Sequence, residues 1–428
     1  MLFFYLFFSV ILFILILFEY ILYRRWNRRI PSSKHRFAFF LFYWILALFS
    51  NGFFVFLVLF RFNFRVEFEG LFKHLYYLSL SWNYSFFFGF FLWGILFLVF
   101  FIIYYTWQNS KFLLKFINPI FVKSQNQNSN ILVNSKEILN RKTFLFTTTA
   151  IAIDTIPFIG TSSSLFGMYA GTKDFEVFTR GIPIQNLESN FNHFRIAHIS
   201  DLHIGSLITE KYLTPTIEMI KTQKPDCIVV TGDILDNSKL YLSTVGWYFQ
   251  KLSEIAPVYA ILGNHDHIEN PRYLIQTLQK ARSNVLVNDF DIIQRGKNKL
   301  ILIGLDYPIQ HRRNNLSRLF LSELSFNEVY QKLPFKDKPI IVLNHHPGDF
   351  EYLKNKPIQL VLAGHTHGGQ IILDSKKDIS LLSNFMKYHV DLYHENQVYL
   401  YVNRGLGHWF PLRINCPPEI TILELYKK

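Results

Sequence analysis

Cysteine is nearly missing from this sequence: Cys227 and Cys416 are the only two in 428 residues. One bridge is the most they could make. With Cys227 inside an apolar run and Cys416 near the C-terminus, they read as two inert thiols rather than a disulfide scaffold. Acidic residues are also scarce, 31 against 44 basic ones, for a formal net charge of +13. The scarcity is local. Residues 24–36 hold six basic residues (Arg24, Arg25, Arg28, Arg29, Lys34, Arg36) and no acid, and residues 107–143 hold six more (Lys111, Lys115, Lys123, Lys136, Arg141, Lys142) against Glu137 alone. Both stretches lie beside hydrophobic runs, so the excess charge marks membrane topology rather than a nucleic-acid footprint, and no nucleic-acid partner is expected. No basic leader precedes the first apolar run and no small-residue cleavage pattern follows it, which argues for an uncleaved anchor over a signal peptide. No internal repeat occurs, so a repeat architecture is excluded.

What is abundant is apolar: 46 Phe and 23 Tyr, with a mean hydropathy of +0.16. These residues crowd into the first third of the chain. A helix of about 20 apolar residues crosses a bilayer. Residues 2–23, 37–60, 86–105 and 144–170 are the expected spans of an all-α transmembrane anchor occupying 1–171. Basic loops after the first and third spans belong on the cytoplasmic side, which puts the N-terminus outside. The fourth span carries Asp154 and Pro157. A carboxylate in a span costs roughly 2.5–3.5 kcal/mol, so Asp154 has a transport role, faces neighbouring helices, or lies in a segment that crosses poorly. If it crosses, everything after Gly171 is extracytoplasmic, and the expected location is a multi-pass cell-membrane protein with its second domain outside. Glu19 is the other charged residue within an expected span, near its end. An anchor therefore fits better than a transporter.

From residue 172 to 428 the composition is that of one large α/β domain. The runs FRIAHIS, DCIVVT, PVYAIL, PIIVL and QLVLA read as buried strands, separated by helical patterns such as YLTPTIEMIKTQ, TVGWYFQKLSEI and PRYLIQTLQKAR. KNKLILIGLDY, YLYVNRGLG and EITILELY add further strands. Each of the first five runs ends in polar residues: SDLH (Asp201, His203), GDILD (Asp233, Asp236), GNHD (Asn264, His265, Asp266), NHHP (His345, His346) and GHTH (His365, His367). Strand ends are where α/β sheets collect ligands. Taken singly each motif is weak, since a polar residue there is usually a cap or a turn. Together, Asp, His and Asn after successive strands, beside Gly232, Gly263 and Gly364, indicate a metal site. Phosphate-ester hydrolysis needs a nucleophile near neutral pH and neutralisation of the phosphoryl oxygens, and two cations roughly 3.5–4 Å apart supply both. Carboxylate and imidazole donors suit Mn, Fe or Zn better than Ca.

These motifs, in this order, resemble the calcineurin-like metallophosphoesterase superfamily, over about Phe194 to Leu425. GHTHGGQ, RGLG and PPEITILEL resemble its membrane-anchored bacterial branch. The resemblance implies a four-layer α/β-β/α sandwich and two divalent metal ions. It places one metal on Asp201, His203 and His367 and the other on Asn264, His345 and His365, with Asp233 bridging. It makes His265 the group that protonates the leaving oxygen or stabilises the transition state, and Asp236 the group that orients His265. Arg404 in NRGLG is a candidate phosphate contact, His346 and Asp266 candidates for supporting roles, and His198 and His267 ordinary hydrogen-bonded histidines. Specificity is expected in loops such as Ile309–Phe335. The function expected is a membrane-anchored dinuclear phosphohydrolase acting on a phosphate ester of a lipid or cell-envelope compound. One alternative is a cytoplasm-facing pyrophosphatase of a lipid-linked nucleotide such as UDP-2,3-diacylglucosamine, as in some relatives. The other is a catalytically silent binding protein, whose signature would be a lost ligand; none is lost.

Overall fold

The structure, a computed structural model, describes residues 165–236, 239–268, 270–309, 317–374, 379–408 and 411–428, and toward the N-terminus 19–24, 26–28, 32–60 and 77–83 with isolated positions 13, 15–17, 30, 75 and 162. The chain divides into two compact units, one of Met1–Phe60 with Glu69–Leu165 and one that includes Phe166–Lys428. In the first, helix α1 (Ser33–Phe60) coincides with the span expected at 37–60. The spans expected at 2–23, 86–105 and 144–170, with Asp154, lie wholly or in large part outside the described residues. Among the described residues no helix is long and apolar enough to cross a membrane. Glu19 is fully buried, and its carboxylate accepts hydrogen bonds from Trp82 Nε1 at 2.7 Å and Asn51 Nδ2 at 2.8 Å.

The second unit begins a few residues before the boundary expected at 172. Gly167–Gly171 form a single wide turn, and the Gly167 carbonyl accepts from the Arg413 amide at 3.3 Å. The last residues of the expected fourth span thus pack within the second unit. Its first sheet contains β1 (Glu176–Ile184), β2 (Phe194–Ile199), β3 (Cys227–Thr231), β4 (Val258–Ile261), β5 (Ser283–Val285) and β14 (Glu419–Lys427), in the order β1-β14-β2-β3-β4-β5. β2 through β5 are parallel, as are β1 and β14, while β14 runs antiparallel to β2. The second sheet contains β6 (Asp289–Arg295), β7 (Asn298–Gly304), β8 (Ile340–Leu343), β9 (Leu360–Ala363), β12 (Asp391–Glu395) and β13 (Val398–Val402), in the order β12-β13-β9-β8-β7-β6. A short pair, β10 (Ile372–Asp374) and β11 (Ile379–Ser380), stands apart.

Every residue of β3, β4, β8 and β9 is buried. Parallel strands covered on both faces have no polar side, which is why their sequences are unbroken apolar runs. Alternate residues sort into layers. Cys227 and Val229 of β3 join Ile341 and Leu343 of β8 and Leu360 and Leu362 of β9 in one core shared by the two sheets. Ile228 and Val230 instead face helices α2 (Glu210–Thr222), α3 (Leu242–Ser253) and α4 (Pro271–Lys280), through Leu213, Phe249 and Leu278. Val342 and Val361 face α5 (Arg318–Lys332) through Phe326 and Val329. The result is helix, sheet, sheet, helix. An edge strand, β1, precedes FRIAHIS, and one expectation needs correcting: Ile309–Phe335 is not simply a loop, because α5 occupies most of it, started by Ser317, whose hydroxyl accepts from the Phe320 amide.

Candidate metal centre

The polar motifs leave the C-terminal ends of β2, β3, β4, β8 and β9, and the backbone turns sharply there. Asp201, His203, Asp233, His365 and His367 all adopt positive φ, between 46° and 72°. For residues other than glycine this left-handed conformation costs on the order of 1–3 kcal/mol each and is held only by surrounding structure. The holding contacts are visible. The Asp201 amide donates to the Gly232 carbonyl at 3.0 Å and the His203 amide to Asp233 at 2.9 Å, tying the two loops together. The Asp201 carboxylate accepts the His365 amide at 2.9 and 3.1 Å, tying the first sheet's loop to the second's.

Gly263 and Gly364 serve close approach rather than a turn. A Cβ on Gly364 would sit 1.9 Å from Ser200 Oγ and 2.2 Å from Asp201 Oδ2, and one on Gly263 2.2 Å from Asp233 Oδ1. Gly232 has φ of +87° and is the true turn glycine.

Two groups of side chains converge. In the first, His203 Nε2 lies 3.1 Å from His367 Nε2, which is 3.5 Å from Asp201 Oδ1. In the second, His345 Nε2 lies 3.1 Å from Asn264 Oδ1, 3.2 Å from His365 Nδ1 and 3.4 Å from Asp233 Oδ2. The same Asp233 oxygen is 3.7 Å from His203 Nε2, so one carboxylate faces both groups. Each group has the geometry to hold a cation. His345 Nδ1 sits 2.8 Å from the Thr231 carbonyl, which can only accept; Nδ1 therefore carries the proton and Nε2 presents a lone pair to electron-rich atoms. Such a convergence is tolerable only around a positive charge. Burial opposes protonation of His345, but the Asp233 carboxylate outweighs it and lifts the imidazole to about 9, so near neutral pH a proton on Nε2 supplies that positive charge wherever a cation does not. Burial likewise disfavours the Asp233 anion, yet His345, His203 and His265 hold its carboxyl well below the usual range. Burial keeps His365 (pushed down to about 3) and His367 neutral, with lone pairs available.

His265 stands at the edge, with its side chain 27% exposed and its ring edge-on to His203 with centroids 4.7 Å apart. Its Nδ1 is 3.0 Å from the backbone carbonyl of Asp236 and 3.7 Å from that residue's Oδ1. The short contact to His265 is thus the carbonyl; Oδ1 stands equally far, 3.7 Å, from His203 Nδ1. Arg404 lies 91% buried, its Nε 3.5 Å from Glu419 and its guanidinium over the Phe178 ring at 4.9 Å. His198 bonds Thr231 Oγ1 at 2.9 Å and His267 bonds Asp306 at 2.8 Å. His346 is half-buried, its Nδ1 accepts the Gly348 amide, and its ring packs on that of His365 with centroids 4.5 Å apart. Both cysteines are free and buried.

Two further residues support the site, Asp266, a candidate for that role in the sequence, and Arg413, which escaped the sequence reading. Asp266 is buried and accepts three backbone amides, Ile234 at 2.9 Å, Leu235 at 2.8 Å and Gly263 at 2.8 Å, clamping the GDILD loop to the GNHD loop. Arg413 is also buried and donates to the carbonyls of Arg404, Gly405 and Gly407 at 2.9, 3.0 and 2.6 Å, fastening the RGLG loop behind His367. A GNHD motif contains the first signal in plain view; nothing local distinguishes Arg413 from a surface arginine.

Known proteins share this arrangement. Residues 194–369 match the family description "Calcineurin-like phosphoesterase". The metallophosphoesterase YkuE of Bacillus subtilis is 32% identical over 239 residues, covering 55% of this chain and 80% of YkuE. Phosphodiesterase YaeI of Escherichia coli is 29% identical over 249 residues, covering 56% and 84%. The UDP-2,3-diacylglucosamine pyrophosphatase LpxG of Chlamydia trachomatis is 27% identical over 284 residues, covering 56% and 86%. Two mixed sheets ending in clustered Asp, Asn and His side chains, together with these likenesses, place the chain in the calcineurin-like metallophosphoesterase family, as a metal-dependent phosphoester hydrolase.

Proposed function

We propose that the protein is a membrane-anchored phosphohydrolase with a dinuclear centre, acting on a lipid-linked or cell-envelope phosphoester outside the cytoplasm. The observation that carries the dinuclear reading is the Asp233 oxygen lying within 3.7 Å of His203 and 3.4 Å of His345, each beside a second imidazole nitrogen at about 3 Å. Asp201, His203 and His367 would hold one divalent ion, and Asn264, His345 and His365 the other, with Asp233 shared. When bound, the pair of ions lowers the pKa of an attacking water and neutralises phosphoryl charge. The chain's own residues do the rest. Thr231 and its carbonyl fix His345 with Nε2 inward. The Asp236 carbonyl fixes His265 Nδ1 as a donor, so the proton handed to the leaving oxygen is the one at Nε2.

Membrane attachment rests on the apolar first third of the sequence and its basic flanks. A compartment-sensitive reporter fused after Lys173, with a second in the 124–130 linker, tests the side. Outside at 173 with inside at the linker supports the envelope reading. An inside signal at both overturns it and favours a second reading, a cytoplasm-facing pyrophosphatase, which the likeness to LpxG supports.

A further inference from the structure

Beside the metal centre, between the end of β7 and α5, lies a cavity of about 430 Å³. That is within the range of roughly 300–1,000 Å³ in which small-molecule sites fall. It adjoins the reacting groups on two sides. Tyr307, in its wall, stands edge-on to His345 with ring centroids 6.2 Å apart, and His267, also in its wall, follows His265 by two positions in the chain. The walls differ in character. One carries Asp306, which is fixed by His267 at 2.8 Å and by the Tyr307 amide at 2.9 Å. The other, α5, carries Leu321 and Leu324 one turn apart, with Leu324 43% exposed, and Glu328 one turn further on.

A second phosphate would meet two carboxylates here against the single imidazole of His267, which Asp306 already holds, so an anionic group is disfavoured. A hydroxyl can donate to Asp306 while an apolar segment covers the leucines and removes them from water. We propose that this cavity receives an uncharged, hydroxyl-bearing organic substituent with an apolar segment, carried by the phosphoester that the neighbouring centre cleaves. The inference rests on the reading of that centre as the reacting site. It makes Leu321, Leu324 and Asp306 the residues that select the substrate's organic part.

The test is a series of methyl, butyl and hexyl 4-nitrophenyl phosphodiesters, with the full chain and added manganese. Burial of a methylene is worth roughly a two- to fourfold gain in kcat/KM, so the hexyl-to-methyl ratio should exceed about tenfold. The ratio should fall toward unity in Leu324→Asp, stay high in Leu324→Met, and stay high in Leu319→Asp, on the same helix but outside the cavity. Because the ratio is internal to each enzyme, a general loss of activity divides out. A flat series in the unaltered protein, or an equally steep one in Leu324→Asp, overturns the pocket while leaving the metal centre standing. No metal-dependent release of nitrophenolate from any ester overturns the reading of the centre and the pocket with it.

Discussion

Gly364→Ala is a one-carbon change with a calculable consequence. The new Cβ would lie 1.9 Å from Ser200 Oγ, 2.8 Å from Ser200 Cβ and 2.2 Å from Asp201 Oδ2. Ordinary contact requires about 3.4–4 Å, so the GHTH loop or the SDLH loop must move by more than an ångström. Neither moves freely, because the Asp201 carboxylate holds the His365 amide at 2.9 and 3.1 Å. Overpacking of this kind costs about 1–3 kcal/mol, and in a domain of this size each kcal/mol lowers Tm by about 2–4 °C, so a fall of about 2–12 °C is expected. The displaced groups include Asp201, so metal content should drop from two ions per chain toward one. Adding Ser200→Gly removes two of the three clashes and leaves the carboxylate clash. The double variant should therefore recover part of the stability and none of the metal. Calorimetry and elemental analysis on the same preparations read both quantities. A Gly364→Ala protein with two ions and an unchanged Tm would refute the assignment of close approach, and with it the place of Asp201 in the site.

Other perturbations separate the roles of the clustered residues. Asp233→Asn should keep the fold by circular dichroism and abolish hydrolysis, and retained activity would sink its shared-ligand role. His265→Ala should lower turnover by about 10²–10⁴-fold with metal content unchanged, as for loss of a general acid; a protein emptied of metal would instead make His265 a ligand. Asp266→Asn leaves one of the three clamped amides facing a donor, for a loss of about 1–3 kcal/mol read by thermal unfolding. An unchanged Tm there would show that the clamp contributes nothing.

The parts legible in the sequence are those where physics narrows the choice of residue. β3, β4, β8 and β9 are buried on both faces, so nothing but apolar residues can occupy them, and the runs announce themselves. β1 is an edge strand carrying Arg180, Gly181 and Pro183, with most of its residues partly exposed. Such a strand tolerates breakers that a central one does not, and its apolar pattern dissolves. α5 mixes Arg318, Glu323 and Asn327 with Leu and Phe, and its apolar face covers only one side of β8 and β9. Its pattern is too diluted to stand out from a loop.

The same contrast separates the site from its surroundings. A cation demands oxygen and nitrogen donors, and only a few side chains supply them, so Asp201, His203, Asp233, Asn264, His345, His365 and His367 are conspicuous at strand ends before any coordinates exist. Positioning makes no such demand. Arg413 acts through backbone carbonyls of Arg404, Gly405 and Gly407, groups that every residue possesses, so its target cannot be read from residue types. The cavity wall is less legible still. Leu321 and Leu324 contribute only apolar area, for which any aliphatic side chain of similar size would serve. Reaction chemistry is therefore written in residue identity, whereas substrate choice is written in shape, and shape emerges only when α5 is laid beside the end of β7.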